Sequence, residues 1–195
     1  MENRTEVFIR DIIQENIRIN KSILDEKLKF IIRATDIILG ALKNKKKVLF
    51  FGNGGSAADA QHLAAEFINR FLFDRPALPA IALTTDTSVL TSIANDSDYR
   101  FIFSRQIEAL GDEGDVAIGI STSGSSPNVL EGLEKARTKG MKTIAFIGGR
   151  EGDLLDKFDV IISVPSTCTP RIQEAHIMLG HIICKLVEEG MFPKP

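Results

Sequence analysis

Two side chains able to move protons or bind a metal lie four residues apart in the segment DAQHLAAEF. If this segment is helical, His62 and Glu66 occupy one face of the helix, one turn apart. An imidazole beside a carboxylate is suited to proton transfer or to metal coordination. A helix that only packs against a sheet needs no such pair, so we expect this face to carry chemistry.

The last predicted helix, residues 170–190, carries three more polar side chains in an otherwise apolar sequence, namely Gln173, His176 and His181. A single helical histidine is more often a structural residue than a ligand, and we interpret His176 in that way. His181 lies in the apolar stretch LGHIIC, where an imidazole needs a hydrogen-bonding partner. It is therefore a stronger functional candidate than His176.

A hydroxyl-rich loop, STSGSS at residues 121–126, follows the apolar run VAIGIS and precedes Pro127. One hydroxyl is explained if Ser126 is the N-cap of a helix that has Pro127 at its first position. The other four can surround a phosphate together with backbone N–H groups, without a lysine. The loop has no G-K-[ST] sequence, so it predicts a pocket for one phosphoryl group on a small molecule rather than a nucleotide hydrolase.

A glycine-rich loop, GNGGS at residues 52–56, follows the first apolar run, KVLFFG. Its glycines let the backbone approach a ligand, and the helix behind it offers free N–H groups. Gly52, Gly54 and Ala57 also satisfy the dinucleotide pattern G-x-G-x-x-G/A. The acid that would bind a ribose, Asp86, is farther along the chain than usual. We therefore rank a dinucleotide site below a phosphate or sugar site.

The elements that position these residues alternate between strand and helix. Five short runs barely alternate in polarity, as in parallel strands covered on both faces: residues 47–52, 79–84, 116–121, 143–148 and 160–165. Helical patterns separate them at about 56–71, 86–94, 98–110 and 126–139, and two helices precede them within 3–43, the second over 25–42. This order predicts a three-layer α/β/α sandwich with a five-stranded parallel sheet. We expect one domain over 1–195, with N-terminal helices at 1–43 and an α/β core at 47–190.

Composition excludes several classes of protein. The 195 residues carry a net charge of −2, which gives no basic surface for nucleic acid. No apolar segment has the length of a membrane span, and the charged N-terminus does not resemble a secretory signal. The two cysteines, Cys168 and Cys184, fit no disulfide framework, so we expect reduced thiols in a cytoplasmic protein.

Taken together, these motifs resemble the phosphoheptose isomerases, also called sedoheptulose 7-phosphate isomerases, within the sugar-isomerase (SIS) fold group, whose sheet is flavodoxin-like. The resemblance extends along essentially the whole chain. Its carriers are GNGGSAADAQH with Glu66, the pair Asn95-Asp96, GISTSGSSPNV and PSTCTPRIQEAHIMLGHI. The serine loop alone would indicate only an SIS phosphosugar binder. The HLAAE segment combined with RIQEAH and His181 narrows the resemblance to this family.

The resemblance implies roles for individual residues. Glu66 and His181 match the proposed acid/base pair, and His62, Glu66, Gln173 and His181 match a zinc site. The positions that match substrate-binding residues are Asn53, Gly54, Gly55, Ser56, Glu66, Asn95, Asp96, Ser121, Thr122, Ser123, Ser126 and Gln173. One position departs from the family, because Pro170 stands where many members have aspartate.

The activity implied is ketose–aldose isomerisation of sedoheptulose 7-phosphate to D-glycero-D-manno-heptose 7-phosphate through an enediol, in bacterial heptose biosynthesis. The resemblance also implies one zinc ion per subunit and a homotetramer with sites at subunit boundaries. The metal and acid/base duties of Glu66 and His181 conflict, so they could alternate. Gln173 and His181 are about 12 Å apart along an ideal helix, and they can share one metal only if their side chains lean together or come from different subunits.

Two other classes of function remain open at this point. A non-catalytic SIS protein, such as the replication-initiator-binding relatives, could keep the phosphate loops without the acid/base pair. A phosphosugar-sensing regulator is a third possibility, although the chain shows no appended DNA-binding domain. The presence of both Glu66 and His181 favours the enzyme.

Overall fold

The computed structural model describes residues 3–149, 154 and 156–193. Within this part of the chain, seven α-helices and five β-strands are formed. The helices are α1 (Arg4–Glu26), α2 (Leu28–Lys43), α3 (Gly55–Ile68), α4 (Thr87–Asp96), α5 (Ile102–Leu110), α6 (Pro127–Thr138) and α7 (Thr169–Met191). The strands are β1 (Val48–Gly52), β2 (Ala80–Ala82), β3 (Val116–Ser121), β4 (Lys142–Ile147) and β5 (Val160–Ser163).

The five strands form one sheet in which every neighbouring pair is parallel, in the order β2-β1-β3-β4-β5. This order is flavodoxin-like, and its direction of winding reverses between β1 and β3. Ligands of such sheets bind at that reversal, beyond the carboxyl ends of the strands. The glycine loop follows β1 and the serine loop follows β3, so both loops lie at the expected binding edge.

Alternate residues of the strands face two separate hydrophobic layers. Val48 and Phe50 contribute to the layer formed with α2, α3 and α7, whereas Leu49 and Phe51 contribute to the layer formed with α5 and α6. Because both faces are covered, the strands are apolar throughout. The predicted three-layer sandwich with a five-stranded parallel sheet is confirmed.

The N-terminal helices form on the predicted segment and are separated at Lys27. Ile19 and Ile23 of α1 are buried in the same layer as α2 and α7. The rest of α1 leaves a row of large apolar side chains exposed, among them Ile9, Ile13 and Ile17. A 23-residue helix is thus attached through one part of its surface, and its remaining apolar surface is not covered within one chain.

One helix ends earlier than its sequence pattern suggests. The pattern predicts helix over 56–71, but α3 ends at Ile68. The backbone N–H groups of Phe71 and Leu72 donate instead to the carboxylate of Glu188 on α7, each at 2.8 Å. A charged acceptor from a distant part of the chain therefore competes successfully with the next helical hydrogen bonds.

None of the helices in the described ranges has the length and hydrophobicity needed to cross a membrane. Cys168 is exposed, Cys184 is buried, and both are unpaired, as predicted. Burial raises the pKa of the Cys184 thiol to about 12, with a further contribution from the nearby charge of Glu66.

His176 is a buried structural residue, as its position in the sequence suggested. Its side chain is 1% exposed, and Nε2 lies 3.1 Å from the carbonyl oxygen of Ile147 at the end of β4. That contact requires a proton on Nε2, which leaves Nδ1 as an acceptor without a partner among the described residues. Burial lowers the pKa of His176 to about 4, although the Ile147 carbonyl partly opposes this.

We expect His176 to make stability depend on pH. The unfolded chain takes up its proton near pH 6.5 and the folded chain only near 4, so protonation favours unfolding. The free energy of unfolding should fall by about 3 kcal/mol as the pH drops from 6.5 to 4. His176→Gln can still donate to Ile147 but does not titrate. Urea unfolding at several pH values should show a smaller loss for this variant, and equal pH dependence of the two proteins would contradict the assignment.

Candidate active site

Two helices bring the predicted acid/base residues together. α3 carries His62 and Glu66, and α7 carries His181. The helices approach closely at Gly180, where an added Cβ would come within 2.5 Å of Leu63. A side chain at Gly180 would therefore require Leu63 or one of the two helices to shift.

The three side chains converge on one point. His62 Nε2 lies 3.1 Å from Glu66 Oε1 and 3.2 Å from His181 Nε2. The two imidazole rings are 4.9 Å apart between centroids, and Phe71 packs on the other side of His181 at 5.5 Å. His62 and Glu66 therefore share a helix face, as predicted, and His181 joins them from α7.

The donor set of this cluster fits a metal ion. One proton on His62 Nε2 cannot satisfy both of its neighbours, because it can point at Glu66 or at His181. A cation among the three atoms would satisfy all of them. Two imidazole nitrogens and a carboxylate oxygen are ligands that zinc accepts, and ligand atoms about 2.0–2.1 Å from a tetrahedral zinc are about 3.3 Å apart. The two separations that involve His62 are close to that value, and all three ligand atoms lie within 4.8 Å of one another, so the His/Glu/His group could hold a metal.

A buried ion pair clamps the end of α3 to α7. Arg75 and Glu188 are 2% and 1% exposed at their side chains, and Arg75 Nε lies 3.1 Å from Glu188 Oε1. Arg75 also donates to the carbonyl oxygens of Phe67 and Glu66, both at 2.7 Å. Burial alone would raise the pKa of Glu188, but the amides of Phe71 and Leu72 and the Arg75 guanidinium lower it overall. The pair thus holds the turn that carries Glu66 against the helix that carries His181.

Asp59 adds a second carboxylate to this face of α3. It is half-buried, and one of its oxygens has no hydrogen-bonding partner among the described residues. Burial raises the pKa of Asp59, and the neighbouring His62 partly offsets the rise. His62 therefore has one acidic residue on the preceding turn of α3 and another, Glu66, on the following turn.

The serine loop forms a compact set of hydroxyls. Ser121 ends β3 and donates to Ser126 Oγ at 2.9 Å, and its Oγ is 3.4 Å from that of Ser123. Ser126 is the N-cap of α6 and Pro127 opens the helix, as predicted. The Ser126 hydroxyl makes no capping bond, however, and is used within the loop. The N-terminus of α6 is therefore left without a side-chain cap beside these hydroxyls.

A second row of hydroxyls, to which the sequence analysis assigned no binding role, lies beside the serine loop. A cleft of about 170 Å³ is lined by Thr122, Ser123 and Gly149 together with Ser166, Thr167 and Thr169. The latter three hydroxyls precede or open α7. The segment PSTCTP contained the signal, but only the sheet order shows that it ends beside the serine loop.

The glycine loop contacts the start of α7 rather than its middle. A Cβ on Gly55 would clash with the side chain of Gln173, whose Cδ would lie 2.8 Å away. Gly54 is the N-cap of α3, and Ser56 is buried in the first turn. Pro170 is in the first turn of α7, where proline is tolerated because that turn lacks N–H partners.

Gln173 and His181 contact different parts of α3 within one chain. Gln173 lies against Gly55, whereas His181 lies against His62, seven residues farther along the helix. Seven residues span about 10 Å. Gln173 is thus beside the glycine loop, and its role as a metal ligand stays a proposal.

The pair Asn95-Asp96 and the residue Asp86 lie in different environments. Asn95 and Asp96 end α4, are exposed, and are joined by a 2.8 Å hydrogen bond from Asn95 Nδ2. They precede by a few residues the turn of Tyr99, which reaches the glycine loop. Asp86, the residue considered for a ribose, instead caps α4 by accepting from the Val89 amide at 3.0 Å.

Comparison with known proteins agrees with this geometry. A sequence profile of the SIS domain matches residues 13–148. The chain is thus a protein of the SIS-domain class.

Comparison with individual relatives identifies the family within the SIS class. The chain is 52% identical over the full length of both proteins to the phosphoheptose isomerase of Burkholderia pseudomallei strain K96243. Among solved structures, the phosphoheptose isomerase GmhA of Neisseria gonorrhoeae is 41% identical with a TM-score of 0.87, covering 95% of this chain and 99% of its own. The enzyme of Francisella tularensis is 34% identical with a TM-score of 0.91, over 96% and 100%. The chain belongs to the phosphoheptose isomerase family.

The buried clamp generates a stability prediction. Arg75→Met should leave the buried carboxylate of Glu188 without its counter-charge and lower the free energy of unfolding by about 3–5 kcal/mol. Arg70→Met is the matched control, because Arg70 pairs with Asp74 in the same segment at an exposed site and should cost less than about 1 kcal/mol. Both are measured by urea unfolding. Similar losses for the two variants would show that the buried pair contributes no more than the exposed one.

Proposed function

We propose that this chain isomerises sedoheptulose 7-phosphate to D-glycero-D-manno-heptose 7-phosphate, in the cytoplasm, as a step of bacterial heptose biosynthesis. The observation that carries the proposal is the convergence of His62, Glu66 and His181 on two helices that pack together on one face of the sheet. Membership in the phosphoheptose isomerase family supports the same substrate. We treat residues 1–195 as one domain, since α1 and α2 share a buried layer with the sheet.

The serine loop binds the phosphate end of the substrate. Ser121, Thr122, Ser123 and Ser126 supply the hydroxyls, and backbone N–H groups at the start of α6 supply further donors. The sugar lies along the glycine loop. Its binding residues are Asn53, Gly54, Gly55, Ser56, Glu66, Asn95, Asp96 and Gln173.

Glu66 and His181 move the protons. In the direction of aldose formation, Glu66 removes a proton from C1 of the ketose to form the enediol and returns it to C2. The proton on the C1 oxygen moves to the C2 oxygen through His181. His62, 3.1 Å from one oxygen of Glu66, orients that carboxylate, and its other oxygen is left for the substrate.

Zinc is the metal we propose for the cluster, with His62, Glu66 and His181 as ligands and Gln173 as a fourth. When bound, it polarises the carbonyl and hydroxyl oxygens of the substrate. Gln173 of the same chain lies beside Gly55, so its participation requires movement of its side chain or the Gln173 of another copy.

A non-catalytic SIS protein is not favoured. Such a protein has no need for a histidine, a glutamate and a second histidine held within hydrogen-bonding distance by a buried clamp. Relatives at about 50% identity, including those of Burkholderia pseudomallei, Thermodesulfovibrio yellowstonii and Clostridium acetobutylicum, are named phosphoheptose isomerase.

Glu66→Gln tests the proton-transfer role. The variant keeps the size of the side chain but loses the basic oxygen, so turnover of sedoheptulose 7-phosphate should fall about a hundredfold to ten-thousandfold. Exchange of the C1 hydrogen with deuterated solvent, followed by NMR, should fall equally. Thermal unfolding should change little, because the carboxylate is partly exposed.

Glu189→Gln is the control, since it removes an exposed glutamate of α7 that pairs only loosely with Lys185. It should exchange at the parent rate. A Glu66→Gln protein that exchanges C1 hydrogen as fast as the parent would exclude Glu66 as the base. A parent that acts on no ketose phosphate would contradict the proposed function itself.

We also propose a homotetramer with active sites at subunit boundaries. The support is the exposed apolar row on α1 and the start of α2: Ile9, Ile13, Ile17, Leu24 and Leu28 are each at least half exposed in one chain. Spacings of four and seven residues place such side chains on one helix face. A continuous apolar row of this length marks a surface that another copy covers.

Charging this row should disrupt assembly. The double substitution Ile13→Lys, Ile17→Lys introduces two buried positive charges into the proposed interface, so sedimentation at micromolar concentration should show smaller species than the tetramer of the parent. Asp25→Lys, at an exposed polar position of the same helix, should leave the assembly unchanged. A parent that sediments as a monomer would remove the proposal.

A further inference from the structure

Two asparagine side chains join the glycine loop to the serine loop. Asn53 lies in the glycine loop, and Asn128 is in the first turn of α6, directly after the serine loop. Asn53 Nδ2 donates to Asn128 Oδ1 at 2.9 Å, and Asn128 Nδ2 donates to Asn53 Oδ1 at 2.8 Å. The two amides therefore form a reciprocal pair across the point where the sheet reverses its winding.

The burial of Asn128 makes this pair costly to break. Asn128 is 3% exposed, so losing its partner would leave a polar group buried without hydrogen bonds. From the solvent side, the hydroxyl of Tyr99 donates to Asn53 Oδ1 at 3.2 Å. Asn53 is thus held by a buried residue of α6 and by an exposed residue of the turn that follows α4.

We propose that Asn128 is a positioning residue of the active site, which fixes the glycine loop relative to the serine loop through Asn53. The inference rests on the proposed function, in which the phosphate binds the serine loop and the sugar lies along the glycine loop. One ligand then spans both loops, and its affinity depends on their separation. Tyr99 restrains the same amide of Asn53 from outside. None of the sequence motifs pointed to Asn128 or Tyr99 for this role.

The connection predicts different effects on two ligands. Inorganic phosphate needs only the serine loop, whereas sedoheptulose 7-phosphate needs both loops. Asn128→Ala should therefore reduce kcat/KM for the sugar phosphate about tenfold to hundredfold, mainly through KM, since two hydrogen bonds are lost. The inhibition constant of inorganic phosphate should change by less than about twofold. A general loosening of the fold would weaken both.

A double-mutant cycle tests whether the two asparagines act as a unit. Asn53→Ala should cost at least as much as Asn128→Ala, because it also removes a residue proposed to bind the sugar. The double variant should cost little more than Asn53→Ala alone, because each single substitution already breaks the pair. Asn44→Ala is the matched control. Its amide donates to the Gly40 carbonyl at 2.7 Å, but it precedes β1 and so lies at the opposite edge of the sheet. It should leave KM unchanged.

Tyr99→Phe provides a milder test that does not disturb the core. It removes one exposed hydrogen bond and should raise KM about twofold to fivefold without changing phosphate inhibition. If Asn128→Ala does not fold, this variant carries the test. If the parent is active, any one of three results would overturn the positioning role alone. These are additive losses in the cycle, equal losses for phosphate and sugar phosphate, and a Tyr99→Phe variant with an unchanged KM. An inactive parent would overturn the proposed function and the inference together.

Discussion

The close packing of α3 against α7 is the constraint on which the rest of this site depends. Gly180 lets the helices meet at Leu63, and the Arg75–Glu188 pair closes their far end. A polar cluster could not be held by the apolar contact alone, because hydrophobic packing is not directional. The buried ion pair adds direction, since its hydrogen bonds reach the backbone on both sides of the turn after Glu66. Burying these two charges costs desolvation free energy, and in this fold the buried pair positions a functional side chain.

Two loops and two helices divide the work of the site. The serine loop and the glycine loop follow β3 and β1, which are adjacent parallel strands with a fixed register. In the proposed function, the phosphate of the substrate binds the loop that follows β3 and the sugar lies along the loop that follows β1, whereas the acid/base residues are carried by helices that pack on one face of the sheet. In that proposal, phosphate binding and proton transfer are performed by different elements of the fold. This division explains why the hydroxyls of the serine loop bond to one another, whereas the histidines and glutamate meet through tertiary packing.

The hydrophobic layers of the fold could be predicted from local sequence patterns. Strands covered on both faces are apolar without alternation, and the run from Val48 to Gly52 shows this directly. The serine loop could be predicted too, because its hydroxyls lie close together in sequence. The end of α3 could not be predicted, because the competing acceptor, Glu188, lies more than a hundred residues away. Asn128 and Asn53 each belonged to a recognised motif, but their pairing could be identified only after β1 and β3 were placed side by side.

By itself, the sequence determined the order of strands and helices, the hydroxyl loop and the one-turn spacing of His62 and Glu66, since each depends on residues close together in the chain. Tertiary structure alone decided that His181 meets His62 while Gln173 lies beside Gly55. The residues concerned are 119 positions apart in the first case and lie on helices whose relative offset no local pattern specifies. That offset is set by the packing of Leu63 against Gly180 and by the ion pair between Glu188 and Arg75. Such contacts depend on shape and charge in three dimensions, so they become visible only when the helices are packed.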